Sequence, residues 1–252
     1  MIALSMSPAQ TPRNFFAPNW ALIAGLAYFL LALFGIFAEL FVRMPTTVVG
    51  DPTATAQAIR DNIGTVRWAV VADTGMILAD VALTVAFFAL FWRTRPGLTA
   101  ILIVLQIARI PMMGANLTNH VAAILLASGQ EALQGFSPEM IDSLAYFSLR
   151  LHHFSYVVNG INFGAWCLVL GWILLSTGYA PKLFAILLLI DGPIAFFDTI
   201  GQLVFPEVMT HAWAEVVSSL AIGEPAFILF LLFAPGYLRR RIELDVNGQH
   251  AG

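Results

Sequence analysis

Charged residues are scarce in this sequence. Asp, Glu, Lys and Arg make up 11% of its 252 residues and 59% are hydrophobic, whereas an ordinary soluble domain carries about 25% charged residues. The single cysteine, Cys167, cannot form a disulfide within the chain, and no basic cluster offers a surface for nucleic acid. These shortages exclude a soluble globular protein, a disordered chain, a secreted disulfide scaffold and a nucleic-acid-binding protein.

Long apolar runs fill most of the chain instead. A helix that crosses a bilayer needs about 20 predominantly apolar residues, and six runs of that kind are present. Trp and Tyr mark the ends of several runs, as expected at the level of lipid headgroups. We therefore predict an all-α, polytopic membrane protein in the lipid bilayer, with six transmembrane helices forming one domain over residues 19–238. The predicted spans are residues 19–42, 66–92, 97–127, 140–176, 182–205 and 212–238.

The basic residues predict the orientation of these spans. Seven of them fall on one side of a six-span scheme and three on the other, so the positive-inside rule predicts cytoplasmic termini. Residues 1–18 and 239–252 are then cytoplasmic tails. The longest outer loop contains Asp51 and Pro52, which can cap and start a short helix over about 52–62.

Pro111 and Pro225 are two of the four prolines within the predicted spans. Pro111 lies near the middle of the third span, which would be about 46 Å long as one straight helix. Pro225 lies in the sixth span, directly after Glu224. Because proline removes a backbone hydrogen bond inside a helix, we predict kinks in the third and sixth helices.

The fourth span carries a stripe of small residues. Gly160, Gly164, Cys167 and Gly171 recur at helical spacing. Such a stripe lets the backbone of a neighbouring helix approach closely. We predict close helix packing along it.

Four short stretches carry a family resemblance: AGLAYFL at residues 24–30, GDPTAT at 50–55, DVAL at 80–83 and STGYAPK at 176–182. Together they resemble the bacterial domain-of-unknown-function family 4386, over about residues 20–235. The chain departs from that pattern at Phe184 and Ala185, where Leu-Gly is expected. The resemblance implies a bacterial multi-pass protein, and hence the inner membrane. It supplies no catalytic residue, because the family is uncharacterised.

Ionisable residues inside the apolar runs are the informative ones, since each costs at least about 2.5–3.5 kcal/mol at the centre of a membrane helix. Asp73 and Asp80 lie seven residues apart, hence on one face of the second helix. Three acids, Asp80, Asp191 and Glu224, and one arginine, Arg109, are expected near the bilayer midplane. The acids cannot all pair with a single arginine, so at least one carboxyl should be protonated or face water or a cation. The predicted ligand and proton pocket comprises Asp73, Asp80, Arg109, Asn116, Asn159, Asp191, Asp198 and Glu224.

The two halves of the chain predict an inverted repeat. Residues 19–127 and 140–238 would each hold three helices, and an odd number of spans inverts the second half. Asp73 and Asp80 then correspond to Asp191 and Asp198. Inverted repeats with interrupted helices that meet near the midplane are the plan of many secondary transporters.

Four histidines fall toward the outer side in this scheme: His120, His152, His153 and His211. Imidazoles with nearby carboxylates are able to bind zinc, iron or copper, or haem through two axial histidines. No His-Glu-x-x-His spacing occurs. Ordinary hydrogen bonding therefore explains the histidines better than metal binding does, and the sequence requires no cofactor while leaving a divalent metal or haem open.

Three functions compete at this stage. The leading hypothesis is binding or transport of a small molecule or ion, with carboxylates that exchange protons. The second is a membrane-embedded enzyme that uses acid–base chemistry on an apolar or lipid-like substrate, with His152 or His153 within hydrogen-bond reach of an acid. The third is a structural or sensory subunit in which every charge is paired and no cavity exists. A homo-oligomer is left open.

Overall fold

The computed structural model describes residues 19–129, 134–207, 209 and 221–248, and every regular element among them is helical. Five helices are long and apolar enough to cross a membrane: Trp20–Thr46, Ile63–Phe91, Pro96–Ala127, Pro138–Thr177 and Lys182–Val204. The start of the sixth predicted span lies outside the described residues, so the six-span count stays a prediction. The helices are α1 (Trp20–Thr46), α2 (Pro52–Asp61), α3 (Ile63–Phe91), α4 (Pro96–Ala127), α5 (Pro138–Thr177), α6 (Lys182–Val204), α7 (Gly223–Phe233) and α8 (Pro235–Val246).

Side-chain caps set the starts of two helices. At the start of α2, Asp51 Oδ1 accepts the Ala54 N–H at 2.9 Å. At the start of α5, Ser137 Oγ accepts the Met140 N–H at 3.3 Å. Both helices have proline at the first position, where the missing N–H costs no intrahelical bond. The short helix predicted over about 52–62 corresponds to α2, Pro52–Asp61.

The prolines act differently along the chain. Helix α4 continues through Pro111 without a break. Pro225 lies in the first turn of α7, where its missing N–H has no partner to lose. The sixth span is predicted to continue to residue 238, but α7 ends at Phe233. The non-helical Ala234 follows, and Pro235 begins a new helix, α8. Helix α8 extends into the predicted tail 239–252.

The long helices close into a ring. Helix α1 packs on α3, α3 on α4, α4 on α5, α5 on α6 and α6 on α7, and α7 packs back on α1. The short helix α2 lies against α5. The ring encloses an interior that side chains from all six helices can reach.

Helices α5 and α6 approach each other closely. A Cβ atom added at Gly164 would lie 2.8 Å from the Gly192 carbonyl oxygen, and one added at Gly171 would lie 3.0 Å from the Ala185 carbonyl oxygen. Backbone therefore meets backbone along the glycine stripe. The predicted close packing along that stripe is confirmed.

The ring interior has an apolar cluster at each end. One cluster contains Phe87, Leu102 and Leu170, and the other contains Val66, Ala69 and Ile124. Helices α3 and α4 each pass through both clusters. Buried polar residues lie between the two clusters along these helices: Asp73, Asp80, Gln106, Arg109, Asn116 and His120.

Candidate functional site

Two groups of polar residues lie in the ring interior. The first, called here the histidine cluster, consists of Asp73, His120 and His152. The second, called the central cluster, consists of Tyr28, Asp80, Gln106, Arg109, Trp166 and Glu224. Asp73 and Asp80 are seven residues apart on α3, so the groups lie about 10 Å apart along that helix.

The histidine cluster brings together α3, α4 and α5. His120 Nδ1 lies 3.2 Å from Asp73 Oδ2, and His152 Nε2 lies 3.9 Å from the same oxygen. The two imidazole rings are 5.2 Å apart between centroids. One potential ligand atom from each of the three residues lies within 4.8 Å of the other two. All three residues are buried, so the arrangement is shielded from lipid.

Arg43 holds the carboxylate of Asp73. Its Nη1 donates to both carboxylate oxygens, at 3.1 and 2.9 Å, and its Nε donates to Glu39 Oε2 at 2.7 Å. Glu39 and Arg43 lie in a π-helical segment of α1, Phe37–Arg43. Such segments are rare and frequently occur at functional sites.

Asn116 fixes the ring of His152. The backbone carbonyl oxygen of Asn116 lies 3.2 Å from His152 Nδ1, and Asn116 Nδ2 donates to the His152 carbonyl oxygen at 3.0 Å. Because a carbonyl oxygen only accepts hydrogen bonds, Nδ1 must carry the proton. In the neutral imidazole, Nε2 then has a free lone pair on the side of Asp73.

In the central cluster, Asp80 and Arg109 form a buried ion pair. Arg109 Nε donates to Asp80 Oδ2 at 3.0 Å, and its Nη2 donates to Oδ1. Gln106 Nε2 also donates to Asp80 Oδ1, at 3.2 Å. The Arg109 guanidinium carbon lies 5.8 Å from the centroid of the Trp166 ring. Asp80 is thus saturated with hydrogen bonds.

Three other polar atoms of the central cluster lack partners. Tyr28 Oη, Gln106 Oε1 and Trp166 Nε1 are buried and make no hydrogen bond within the described part of the chain. The rings of Tyr28 and Trp166 meet edge to face at 5.8 Å. Glu224 lies near Arg109 and beside the Tyr28 hydroxyl. Buried polar atoms without partners are rare, and unseen water or ligand is the usual explanation.

Asp191 caps the beginning of α7. Its Oδ1 accepts the Gly223 N–H at 3.2 Å, and its Oδ2 accepts the Glu224 N–H at 2.8 Å. A carboxylate at a helix N-terminus is stabilised by the free N–H groups and the helix dipole. Glu224 lies in the first turn of α7, with its side chain near Tyr28 and Arg109.

A cavity of about 200 Å³ lies between α5 and α6. Its walls include Asp191 and Asp198 from α6, Tyr156 from α5 and Ala221 just before α7. Tyr156 also contacts the His152 ring, with centroids 5.1 Å apart. The cavity therefore extends from the neighbourhood of the histidine cluster to the carboxylate that caps α7.

Other predicted residues are not part of either group. His153 points toward Arg150, Glu39 and Asp198 instead of the histidine cluster. Asp198 Oδ2 accepts the Gln202 side chain at 2.8 Å. Asn159 Oδ1 accepts the Asn162 amide at 3.4 Å. His211, the fourth predicted metal ligand, lies outside the described residues.

Sequence reasoning missed several contributors to these groups. Gln106 precedes Arg109 by three residues and hence shares its helix face, a signal that the sequence does offer. Tyr28 and Trp166 read as ordinary aromatic residues in apolar runs. Arg43 reads as a loop residue, because a π-helical segment has no sequence signature.

A family described as "Domain of unknown function (DUF4386)" matches residues 23–234 of the chain. The matched range includes all four stretches that carry the family resemblance. No curated protein and no solved structure matches the chain.

Proposed function

Because the chain belongs to the family described as domain of unknown function (DUF4386), which carries no stated activity, we propose its function from the central cluster. The protein binds a small polar molecule or an ion inside the membrane and exchanges a proton at Glu224. The observation that carries this proposal is the presence, beside Arg109 and Glu224, of buried polar atoms that have no hydrogen-bond partner among the described residues.

Glu224 is the carboxyl best suited to exchange a proton. Asp80 is paired with Arg109, and Asp191 accepts two backbone N–H groups. Within the described residues, no cation lies within 4.0 Å of the Glu224 carboxylate. Since an unpaired charge inside a bilayer is costly, a proton or a bound cation stabilises Glu224.

The groups around Glu224 offer a mixed set of hydrogen-bonding partners. Trp166 supplies an N–H donor, Gln106 a carbonyl acceptor, and Tyr28 a hydroxyl that does both. Arg109 adds a positive charge that Asp80 holds in place. These chemistries match a small ligand with both donors and acceptors, or an ion with its bound waters, better than they match a lipid tail.

Transport is the extension of binding that the fold favours. Helix α7 begins at Gly223 beside Asp191 and the cavity of about 200 Å³. Helices that begin within the membrane beside a binding site are a feature of secondary transporters. We place the protein in the bacterial inner membrane with cytoplasmic termini, and infer that the site opens to one side at a time.

The test is a stability screen on purified protein in detergent. The probes are amino acids, small organic acids, amines and monovalent cations, each at millimolar concentration and at two pH values. We expect one probe class to raise the melting temperature of the wild type with a pH dependence. The Glu224→Gln variant should lose that response, because it cannot exchange a proton.

Glu139→Gln is the matched control, since Glu139 is an exposed carboxyl in the first turn of α5. It should respond like the wild type. A response that survives unchanged in Glu224→Gln would contradict the proposal, and so would the absence of any response across the probe classes.

An enzyme on a lipid-like substrate is the second candidate. The observation that favours it is the 3.2 Å contact between His120 and Asp73, close to a groove of about 440 Å³ between α4 and α5 whose lining includes Met112, Asn116 and Phe154. Mass spectrometry of bilayer lipids incubated with the reconstituted protein tests it. This candidate function requires a lipid product whose formation is abolished in His120→Gln and retained in Glu224→Gln.

A further inference from the structure

We propose that the histidine cluster is a binding site for one divalent metal ion of the zinc class, with Asp73, His120 and His152 as its protein ligands. This site uses residues other than those of the central cluster, so it goes beyond the proposed function. Its evidence is geometric and comes from three helices that pack side by side.

The first argument is the unmet hydrogen-bonding capacity of the two histidines. Both Nε2 atoms are buried and have no partner among the described residues. Within the described residues, the ring nitrogens of the two histidines form hydrogen bonds only through His120 Nδ1, with Asp73, and His152 Nδ1, with the Asn116 carbonyl. Two buried imidazole nitrogens without hydrogen-bond partners are costly unless a ligand binds them.

The second argument is the gap between His152 and Asp73. The Asn116 carbonyl fixes the proton of His152 on Nδ1, so its Nε2 presents a lone pair. That lone pair and the carboxylate oxygen of Asp73 lie 3.9 Å apart. Two acceptors at this separation repel each other, whereas a cation bound between them would be coordinated by both.

The distances suit a small metal ion. Zinc bonds of about 2.0–2.2 Å place two tetrahedral ligands about 3.3–3.6 Å apart. The three ligand atoms already lie within 4.8 Å of one another. The largest distance between two ligand atoms therefore has to shorten by about 1.5 Å or less, which side-chain rotations can provide.

The chemistry of the ligands selects the metal class. Two imidazoles and one carboxylate suit zinc and its first-row neighbours, whereas magnesium and calcium prefer oxygen ligands alone. Three protein ligands leave one position for water or a substrate, as in catalytic rather than structural zinc sites.

The surroundings supply the supporting contacts that metal ligands need. The Asn116 carbonyl orients His152, as outer-shell carbonyls commonly orient metal-bound histidines. Arg43 is balanced by Glu39 at 2.7 Å, so the cluster with neutral histidines keeps one net negative charge for the cation. Asn116 also lines the groove between α4 and α5, which provides a route of entry.

The experiment is metal titration of the full chain, purified in detergent with a histidine-free tag and stripped with a chelator. Co²⁺ is added first, because its visible absorption reports coordination, and Zn²⁺ then displaces it. Metal content after desalting gives the stoichiometry. We expect one equivalent in the wild type, and more than about 100-fold weaker binding in His120→Gln and His152→Gln, since even outer-shell changes cost 10–100-fold.

His153→Gln is the matched control, because it changes the next residue of the same helix outside the cluster, and it should bind like the wild type. Asn116→Ala removes only the side-chain amide that donates to the His152 backbone carbonyl and keeps the backbone carbonyl that orients the ring, so it should bind metal within about 10-fold of the wild type. The wild-type cobalt spectrum decides the proposal even if the histidine variants fail to fold. Glu224→Gln should retain full metal binding, which separates this site from the proposed function.

Two results would overturn the proposal. One is a wild type that gives no cobalt absorption and retains no zinc, which would mean that the cluster holds only a proton. The other is a loss of metal that His153→Gln shares equally with His152→Gln.

Discussion

The Asp80–Arg109 pair allows the sharpest stability prediction. Asp80 is 0% exposed and Arg109 is 7% exposed, so removing either partner leaves a charge buried in the membrane interior. Arg109→Met keeps the length and apolar character of the side chain while removing its charge. Asp80→Leu does the same for its partner.

The geometry sets the magnitude. Two charges 3.0 Å apart attract by about 5–6 kcal/mol at an effective dielectric constant of about 20. The cost of desolvating both groups offsets most of this gain, whereas breaking a buried pair typically costs about 3–5 kcal/mol. Each single variant should therefore lose about 3–5 kcal/mol of unfolding free energy. The double variant Asp80→Leu/Arg109→Met should recover most of that loss.

The assay is reversible unfolding in mixed micelles, evaluated as a double-mutant cycle. The matched control is the pair of Arg60 and Asp142, whose side chains are 35% and 10% exposed. Replacing these two residues should show a coupling of about 1 kcal/mol or less, because a partly exposed pair is screened by solvent. Additive losses for Asp80 and Arg109 would refute the reasoning, since they would mean that the two charges do not compensate each other.

Three further predictions follow from single residues. Gly223→Ala should lower stability by about 1–3 kcal/mol in the same unfolding assay, because its Cβ would lie 2.5 Å from Asp191 Oδ2; an unchanged stability would contradict that contact. Burial and a hydrogen bond to Asp245 raise the pKa of Tyr179 above its ordinary value, so the stability that this neutral phenol provides is lost as pH rises above about 10. The melting temperature of Tyr179→Phe should accordingly decrease less than that of the wild type as the pH is raised over that range. Equal decreases in the two proteins would contradict the raised pKa of Tyr179. Cys167 is free and buried, so a maleimide should label it only after unfolding, and rapid labelling of the folded protein would show that the helix contacts around it are wrong.

Much of the fold follows from the sequence alone. The apolar runs predict the long helices within a few residues, because a bilayer-spanning helix has a fixed minimum length. Asp51 with Pro52 predicts the start of α2, and the glycine stripe predicts the close packing of α5, since both depend on local chemistry. The end of α7 at Phe233 was missed, because the break depends on the conformation of Ala234 before Pro235.

The candidate site was predictable only as a set of residues. The buried acids and histidines are visible in the sequence because charges are rare in membrane helices. Which of them meet depends on helix rotation: His152 enters the histidine cluster, whereas His153, rotated by about 100° on the same helix, does not. The role of Asp191 depends on where α7 begins, and no local pattern specifies that position.

Infrared spectroscopy of the protein in liposomes tests the central claim most directly, because it detects a protonated carboxyl without knowledge of the ligand. The measurement compares wild type, Glu224→Gln and Glu139→Gln across a pH series. The account predicts a carboxylic acid C=O band that is present above about pH 6, where exposed carboxyls are ionised, in the wild type and in Glu139→Gln, and that is absent there from Glu224→Gln. A wild-type spectrum without such a band, or a band that persists in Glu224→Gln, would contradict proton exchange at Glu224.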